Sequence, residues 1–169
     1  DKDQEEGKFV RQGKLEGMGQ QAFGPLGLVV GGFGDDELEV LAEAVERVLT
    51  GPDDVPPPLV PIAVLSQEDV NQGTTLKTVI SQLSERDSVL PDNPAILKTP
   101  LVLFSGFLPL QVSGLIKAIV GSGIRGGMPG MEVTPMCAIA VPNAMDKSIN
   151  QLCDEIEGDH LANAPGPKP

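Results

Sequence analysis

Three glycines in the segment VVGGFGDDELEVL, residues 29–41, stand between an apolar run and an acidic helix start. A dinucleotide-binding turn has the pattern G-x-G-x-x-G between a strand and a helix, so that backbone amides and the helix N-terminus contact a pyrophosphate. Gly32 and Gly34 fit this pattern, but Glu37 stands where the third glycine belongs. The carboxylates that follow Gly34 would also repel a phosphate from the positive end of the helix dipole. We therefore interpret the acidic residues as helix caps and the glycines as part of a structural turn.

A second glycine pattern, GSGIRG at residues 121–126, matches the same motif letter for letter. It contains Arg125, whose positive charge suits an anion. The pattern follows a helical stretch and not a strand, so it lacks the strand-turn-helix context in which the motif binds a dinucleotide. The sequence therefore predicts a flexible loop here and no phosphate site.

Residues that could form a catalytic or metal site are few and scattered. Nucleophilic catalysis needs a nucleophile, a base and an orienting group. The single histidine, His160, ends the last predicted helix, where an imidazolium suits the negative end of the helix dipole. Cys137 and Cys153 lie in apolar contexts without metal-ligand spacing and are predicted to be reduced, buried thiols. The sequence therefore predicts no catalytic residue, no metal site and no cofactor, and an enzyme of unassigned reaction is the third-ranked hypothesis.

The charge balance excludes some partners. Twelve Lys and Arg against 24 Asp and Glu give the 169-residue chain a formal net charge of −12 at pH 7. That charge opposes binding to nucleic acid or to anionic lipid. No apolar run approaches the roughly 20 residues needed to span a bilayer, because Gly, Pro or charge interrupts each one. The sequence therefore predicts no nucleic-acid partner and no transmembrane segment.

The chain repeats one pattern of elements. A strand-like run closing on Gly-Phe comes first, then a helical stretch, a Gly/Pro-rich loop, a second apolar run after a proline, and an amphipathic helix. In the first half these elements are GLVVGGF (27–33), 35–49, VPIAVL (60–65) and 74–87; in the second half they are LVLFSGF (101–107), 108–123, TPMCAIAV (134–141) and 146–160. Strands joined by helical crossovers favour parallel pairing with a right-handed connection. The sequence therefore predicts an α/β fold of two tandem β-α-β-α units related by pseudo-symmetry, in one shared sheet or in two small lobes.

The predicted organisation has five parts. An extended arm covers residues 1–24, the first unit 25–90, a connector 91–98, the second unit 99–160 and a tail 161–169. The loops at 66–74 and 142–148 follow the second strand of each unit, and open α/β sheets bind ligands at the carboxyl ends of their strands. A small-ligand-sensing regulatory domain is therefore the alternative function.

The equivalent helices of the two units differ in charge. The first helix carries six acids between Asp35 and Glu46, whereas the stretch 108–123 carries only Lys117. A helix that is apolar nearly all round is buried on more than one side, either inside the molecule or against another protein. The loop after it is rich in Met, an adaptable contact residue, and the arm contains the locally basic segment KFVRQGKLEG, which is either a docking segment or an untethered tail. The predicted partner-binding residues are Lys8, Phe9, Arg11, Lys14, Leu15, Leu115, Ile116, Ile119, Arg125, Met128 and Met131.

Each half resembles a family of short bacterial and plastid α/β domains of unassigned function. GGFGDDELEVL and AVLSQEDVN carry the resemblance in the first half, and SGFLPLQVSGL and AIAVPNAMD in the second, which lacks the acidic helix start. The family implies no catalytic residues. The Gly/Ala/Pro-rich composition, with Asp1 at the first position as in a processed chain, is similar to that of nuclear-encoded plastid proteins, including auxiliary factors of photosynthetic complexes.

The resulting hypothesis is a non-catalytic assembly or stabilisation factor that binds a protein complex. The resemblance implies a photosynthetic membrane complex as the partner. It also implies the plastid stroma or the stromal face of the thylakoid as the compartment, with a cytosol-like reducing compartment as the alternative.

Overall fold

Four strands form a single mixed sheet in the part of the chain that the structure describes. The structure is a computed structural model that describes residues 22–50 and 56–163, the last four through their backbone only. The strands are β1 (Gly27–Gly31), β2 (Ile62–Val64), β3 (Leu101–Ser105) and β4 (Met136–Ile139). Their order is β2-β1-β3-β4, with β1 parallel to β2, β3 parallel to β4, and β1 antiparallel to β3. The two halves therefore share one sheet, which settles the alternative that the sequence left open.

Six α-helices connect and cover these strands within the described ranges. They are α1 (Asp35–Leu49), α2 (Gln67–Asn71), α3 (Leu76–Ser81), α4 (Leu83–Arg86), α5 (Pro109–Gly121) and α6 (Ile149–Asn163). A short 3₁₀ turn, Pro142–Ala144, follows β4. The predicted α/β class is confirmed at this level, and each predicted strand contains an observed one.

The sheet lies between two helical layers. Every residue of β1 and β3 is buried, which explains why both strands are continuous apolar runs and do not alternate with polar residues. Successive side chains point to opposite faces of the sheet. On one face, α1 and α5 pack over Leu28, Val30, Val102 and Phe104; on the other face, α3, α4 and α6 pack over Val29, Ala63, Leu101 and Leu103.

Two local predictions about helix starts are corrected. The N-cap of α1 is Gly34, which makes no side-chain cap, and the acids occupy the first turn, where they favour the positive end of the dipole. The sequence PNAMDKS, residues 142–148, predicts that Asp146 or Asn143 caps the last helix, but Ser148 accepts the N–H of Gln151 at 3.1 Å at the start of α6.

The segment after β2 also differs from its prediction. The sequence QEDVNQG, residues 67–73, is typical of an Asn/Gly turn, but its first five residues form α2, which begins with a capping box between Ser66 and Asp69. The single helix predicted over 74–87 is broken into α3 and α4 at Gln82, whose backbone leaves the helical region.

The chain enters the body before Pro25. Phe23 is half-buried against the cluster under α3 and α6, and its carbonyl accepts the N–H of Gly106 at 2.9 Å. The Ser105 hydroxyl donates to the Pro25 carbonyl at 2.7 Å. Residues 23–25 are therefore held by β3 and its following turn, although the predicted arm extended to residue 24.

Candidate functional site

The second motif docks tightly against the backbone at its last residue. A Cβ placed on Gly126 would lie 2.4 Å from the carbonyl oxygen of Gly32, and one placed on the following residue, Gly127, would lie 2.4 Å from that of Lys98. The Gly127 N–H donates to the Gly32 carbonyl at 2.8 Å, and Gly126 exchanges two backbone hydrogen bonds with Val133. The end of the segment predicted to be a flexible loop is thus packed in place, and Gly126 and Gly127 permit close approach of two backbones.

Arg125 lies in an acidic groove at the start of α1. The groove is lined by Asp36, Glu37, Arg125 and Glu132 together with residues 122–124. The guanidinium of Arg125 donates to the backbone carbonyl of Glu132 at 2.9 Å, and the hydrogen bonds from its own and the Gly130 backbone N–H lower the pKa of the Glu132 carboxyl. An anion in this groove would therefore meet three carboxylates for one guanidinium.

The predicted partner residues on α5 divide into buried and accessible positions. Leu115 and Ile119 have no exposed surface and pack in the cluster between α5 and the sheet. Ile116 is half-buried beside the same cluster. Leu115 and Ile119 therefore belong to the core of the body and offer no contact to a partner in this conformation.

The accessible apolar side chains lie at both ends of α5 and in the loop after it. Leu110 is 88% exposed and Met131 is 71% exposed. We call these two residues and four further exposed ones the apolar surface; the four are Leu108, Val120, Met128 and Val133. Among the predicted partner residues, the apolar Met128 and Met131 therefore have accessible side chains, as does Arg125. The others in the arm, Lys8, Phe9, Arg11, Lys14 and Leu15, lie outside the described residues.

The two loops predicted to form a ligand site leave the sheet at opposite edges, because strands β2 and β4 run in opposite directions. The two regions are linked where the helix starts exchange backbone hydrogen bonds. Leu76 N–H donates to the Lys147 carbonyl at 3.0 Å, and Ile149 N–H donates to the Thr74 carbonyl at 2.8 Å. These amides are satisfied within the fold and are not free to bind a ligand.

Asp69 is the one buried charged residue in the described part of the chain, and it is 5% exposed. Its two carboxylate oxygens accept from the Arg86 guanidinium at 2.7 and 3.1 Å, and Oδ2 also accepts the Ser66 N–H at 2.9 Å. The Arg86 Nε donates to Gln82 at 2.9 Å. This bidentate pair joins α2 to α4 beside an open groove, and it is a structural link because its donors and acceptors are occupied by one another.

The electrostatics of Asp69 favour its charged form. Burial alone would raise the pKa of this carboxyl, but the hydrogen bonds from Arg86 and Ser66 and the charge of Arg86 together outweigh burial and lower the pKa. The sequence pattern Ser66-x-x-Asp69 could have indicated the capping box. The partnership with Arg86 had no such signal, because it joins residues from different helices.

Both cysteines are free and half-buried. Burial raises the pKa of each thiol to about 11, with the charges of Asp154 and Glu157 adding to the effect at Cys153. The thiolate is the reactive form of cysteine. The prediction of two reduced thiols is consistent with this environment.

We expect iodoacetamide at pH 8 to label the folded protein slowly. A thiol of pKa about 11 is ionised to roughly one part in a thousand at that pH, whereas an unfolded cysteine is ionised to roughly a quarter. Mass spectrometry should therefore show labelling at least about 100-fold slower in buffer than in concentrated urea. Equal rates in the two solvents would contradict the burial of the thiols.

Within residues 22–50 and 56–163, no cluster of three or more His, Cys, Asp or Glu side chains is arranged to hold a metal ion. No helix in that part of the chain has both the length and the apolarity needed to cross a membrane. The fold and these surfaces define a three-layer α/β/α protein with one buried ion pair and an apolar surface on one helical layer. Comparison with known proteins gave no match to a family model, a curated protein or a solved structure.

Proposed function

We propose that this protein is a non-catalytic binding protein that helps to assemble or stabilise a protein complex. The observation that carries the proposal is the apolar surface. Six of the eleven large apolar side chains that are exposed among the described residues lie between Leu108 and Val133. A concentration of exposed apolar side chains marks contact sites, whereas scattered single ones are ordinary. Met128 and Met131 add side chains that adapt to irregular partner surfaces.

We further propose that the body arose by duplication of one β-α-β-α unit. Val29 pairs directly with Leu103 at the centre of the sheet, and these residues are 74 positions apart, as are Phe33 and Phe107. The hydrogen bonds of Leu76 with Lys147 and of Ile149 with Thr74 exchange roles under a shift of 73 residues, which relates Thr74 to Lys147 and Leu76 to Ile149. A pseudo-twofold axis normal to the sheet would pass between both sets, which supports the proposal.

Under this proposal, α5, whose ends carry part of the apolar surface, is the equivalent of α1 in the first unit. The two crossover helices pack side by side on one face of the sheet, but α1 carries an acidic outer face and α5 does not. The first unit therefore resists association on that face by charge, whereas the second offers uncharged contacts. A photosynthetic complex in the plastid stroma or at the thylakoid surface remains our proposal for the partner, supported by the resemblance in composition.

A partner bound at the apolar surface should be lost when that surface is charged. We expect the double variant Leu110→Asp/Met131→Asp to retain its melting temperature, because both side chains lie mostly in solvent. Proteins that co-purify with the wild-type chain from its native source should then fall at least about tenfold in abundance, as expected when charges enter an apolar contact.

The matched control is Leu59→Asp. It places the same charge at a side chain that is 93% exposed and distant in sequence from α5. It should leave the co-purifying set unchanged. A chain lacking residues 1–21 tests the arm in the same assay, and its body should keep Phe23 and its contacts. Unchanged recovery from the double variant would refute the role of the apolar surface.

A further inference from the structure

The two edges of the sheet differ in whether described residues cover their outward backbone groups. The outer edge of β2 is covered by the chain between residues 87 and 95. Ile62 N–H donates to the Asp87 carboxylate at 2.9 Å, and Ser88 N–H donates to the Ile62 carbonyl at 3.1 Å. Farther along the same edge, Ala95 N–H donates to the Leu65 carbonyl at 3.0 Å. This edge is therefore closed to other chains.

The outer edge of β4 has no such cover among the described residues. Met136 and Ala140 donate their N–H groups to the Pro100 and Phe104 carbonyls, each at 2.8 Å. Alternation along a parallel ladder then turns the N–H and C=O groups of the residues between them, 137 and 139, away from β3. No described residue forms a hydrogen bond with those groups.

The strand also lacks the features that usually protect an exposed edge. Natural proteins protect such edges with lysines, inward-pointing charges, prolines or bulges. The sequence Met136–Ile139 is uncharged and contains no proline. Pro135 and Pro142 stand just outside it and limit the open stretch to a few residues. Within residues 22–50 and 56–163, the outer edge of β4 is therefore short, uncharged and unpaired.

The side chains beside this edge are apolar as well. Cys137 belongs to the cluster beneath α5, and Ile139, two residues on, points to the same face of the sheet. Ile139 is 37% exposed, and on α5 Val120 is 42% exposed while Ile116 is half-buried. Ile139 therefore brings an exposed, uncharged side chain to this edge, on the face of the sheet that α5 covers.

We infer that β4 pairs with β4 of a second copy of this chain, antiparallel and centred on Ala138, to form a continuous eight-stranded sheet. In that register Cys137 of each copy lies opposite Ile139 of the other as a hydrogen-bonded pair. Four N–H···O bonds would satisfy the outward groups of both residues in both copies.

A second copy fits this edge because the edge is self-complementary. The donors and acceptors are equal in number and symmetric about Ala138, so a two-fold axis satisfies all of them at once. Across the pairing, Ile139 of each copy lies beside Cys137 of the other, which adds apolar side-chain contact to the backbone hydrogen bonds. The inference goes beyond the proposed function, which rests on the apolar surface and needs no second copy.

Sedimentation velocity and light scattering on the full chain test this pairing. We expect the wild-type mass to approach that of a dimer as concentration rises. The dimer fraction should also rise with salt, because each chain carries a net charge of −12 and the copies repel one another. Ile139→Lys should abolish the dimer, since it places a charge on the edge. Leu59→Lys, the same change at an exposed position elsewhere, should leave it intact.

A cross-link tests the register. Opposed residues of a non-hydrogen-bonded antiparallel pair have Cα atoms about 4.5 Å apart, within the range for a disulfide. Ala138→Cys, in a chain with Cys137→Ser and Cys153→Ser, should therefore form a covalent dimer on mild oxidation. A chain with Cys137 as its only cysteine should not, because diagonal partners lie about 7–8 Å apart or more.

Three results would each overturn the inference: a wild-type chain that stays monomeric, a dimer that survives Ile139→Lys in a variant with a native circular dichroism spectrum, or equal cross-linking of both cysteine variants. Loss of the dimer with unchanged partner recovery would confirm the pairing and leave the proposed function to its own test.

Discussion

Replacing Arg86 with alanine is expected to lower the free energy of unfolding by about 2–3 kcal/mol. The substitution leaves the buried Asp69 carboxylate without its bidentate donor and unlinks α2 from α4. Removing one partner of a fully buried ion pair costs about 3–5 kcal/mol. We expect a smaller loss here because the Arg86 side chain is 23% exposed and water can replace part of its interaction. Urea unfolding followed by circular dichroism measures the loss.

A matched control is available in the exposed pair of Lys147 and Glu155. Its Nζ to Oε1 distance is 2.6 Å, but both side chains are substantially exposed. Exposed ion pairs contribute little to stability. Lys147→Ala should therefore shift the unfolding midpoint much less than Arg86→Ala does. The double variant Asp69→Ala/Arg86→Ala should lose less than the sum of the single losses, because the two changes remove the same interaction. Equal effects of Arg86→Ala and Lys147→Ala would contradict the buried character of the first pair.

The cost of Arg86→Ala should also depend on pH. Because the folded pKa of Asp69 lies below its unfolded value, the stabilisation from this carboxylate is complete above the unfolded pKa of about 4 and is lost as pH falls through the lowered folded pKa. In the variant, burial without the guanidinium favours the protonated acid. The difference in unfolding free energy between wild type and variant should therefore be largest near neutral pH and should narrow below about pH 4.

Replacing Gly127 with alanine is expected to lower the free energy of unfolding by about 3 kcal/mol. Its φ of +106° is one that residues with a Cβ rarely adopt, and the new Cβ would lie 2.4 Å from the backbone carbonyl oxygen of Lys98. A backbone oxygen cannot move aside as a side chain can, so the loop would shift and the hydrogen bond from Gly127 to Gly32 would weaken.

Substitutions at three neighbouring glycines separate the cost of the positive φ from the cost of the close contact. Gly126→Ala adds a close contact without a positive φ and should cost about 2 kcal/mol. Gly123→Ala changes a residue with φ of +81° in open space and should cost about 1 kcal/mol. Gly121→Ala meets neither problem at the end of α5 and should be neutral or stabilising by up to about 1 kcal/mol. If Gly127→Ala unfolded no more easily than Gly121→Ala, the docking of this loop against the sheet would be refuted.

The elements were largely readable from local patterns. The acidic amphipathic stretch 35–49 coincides with α1, because its apolar residues recur at helical spacing and its charges lie opposite them. The continuous apolar runs around Val29 and Leu103 correspond to strands buried on both faces. Errors occurred at helix starts and in the short helix α2, where a few hydrogen bonds decide the conformation and hydrophobic spacing carries little information.

The candidate surfaces were less predictable than the elements. The sequence showed that 108–123 lacks a polar face, but it did not distinguish the side that packs on the sheet from the side left in solvent. Leu115 and Ile119 proved to be core residues, whereas Leu110 is exposed. That division depends on how the helix is rotated against the sheet, which the uniform apolarity of the helix does not encode.

The sequence by itself determined the α/β class, most of the helices and strands, the acidic charge and the asymmetry between the two halves, because each of these follows from residue types within one short segment. Only the tertiary structure decided that both halves share one sheet and that Arg86 pairs with Asp69. It also decided that a glycine loop rests on the backbone at Gly32, and that described residues cover the β2 edge of the sheet but not the β4 edge. These features join residues far apart in the chain, and their free energy depends on distances and orientations that appear only once the layers are packed.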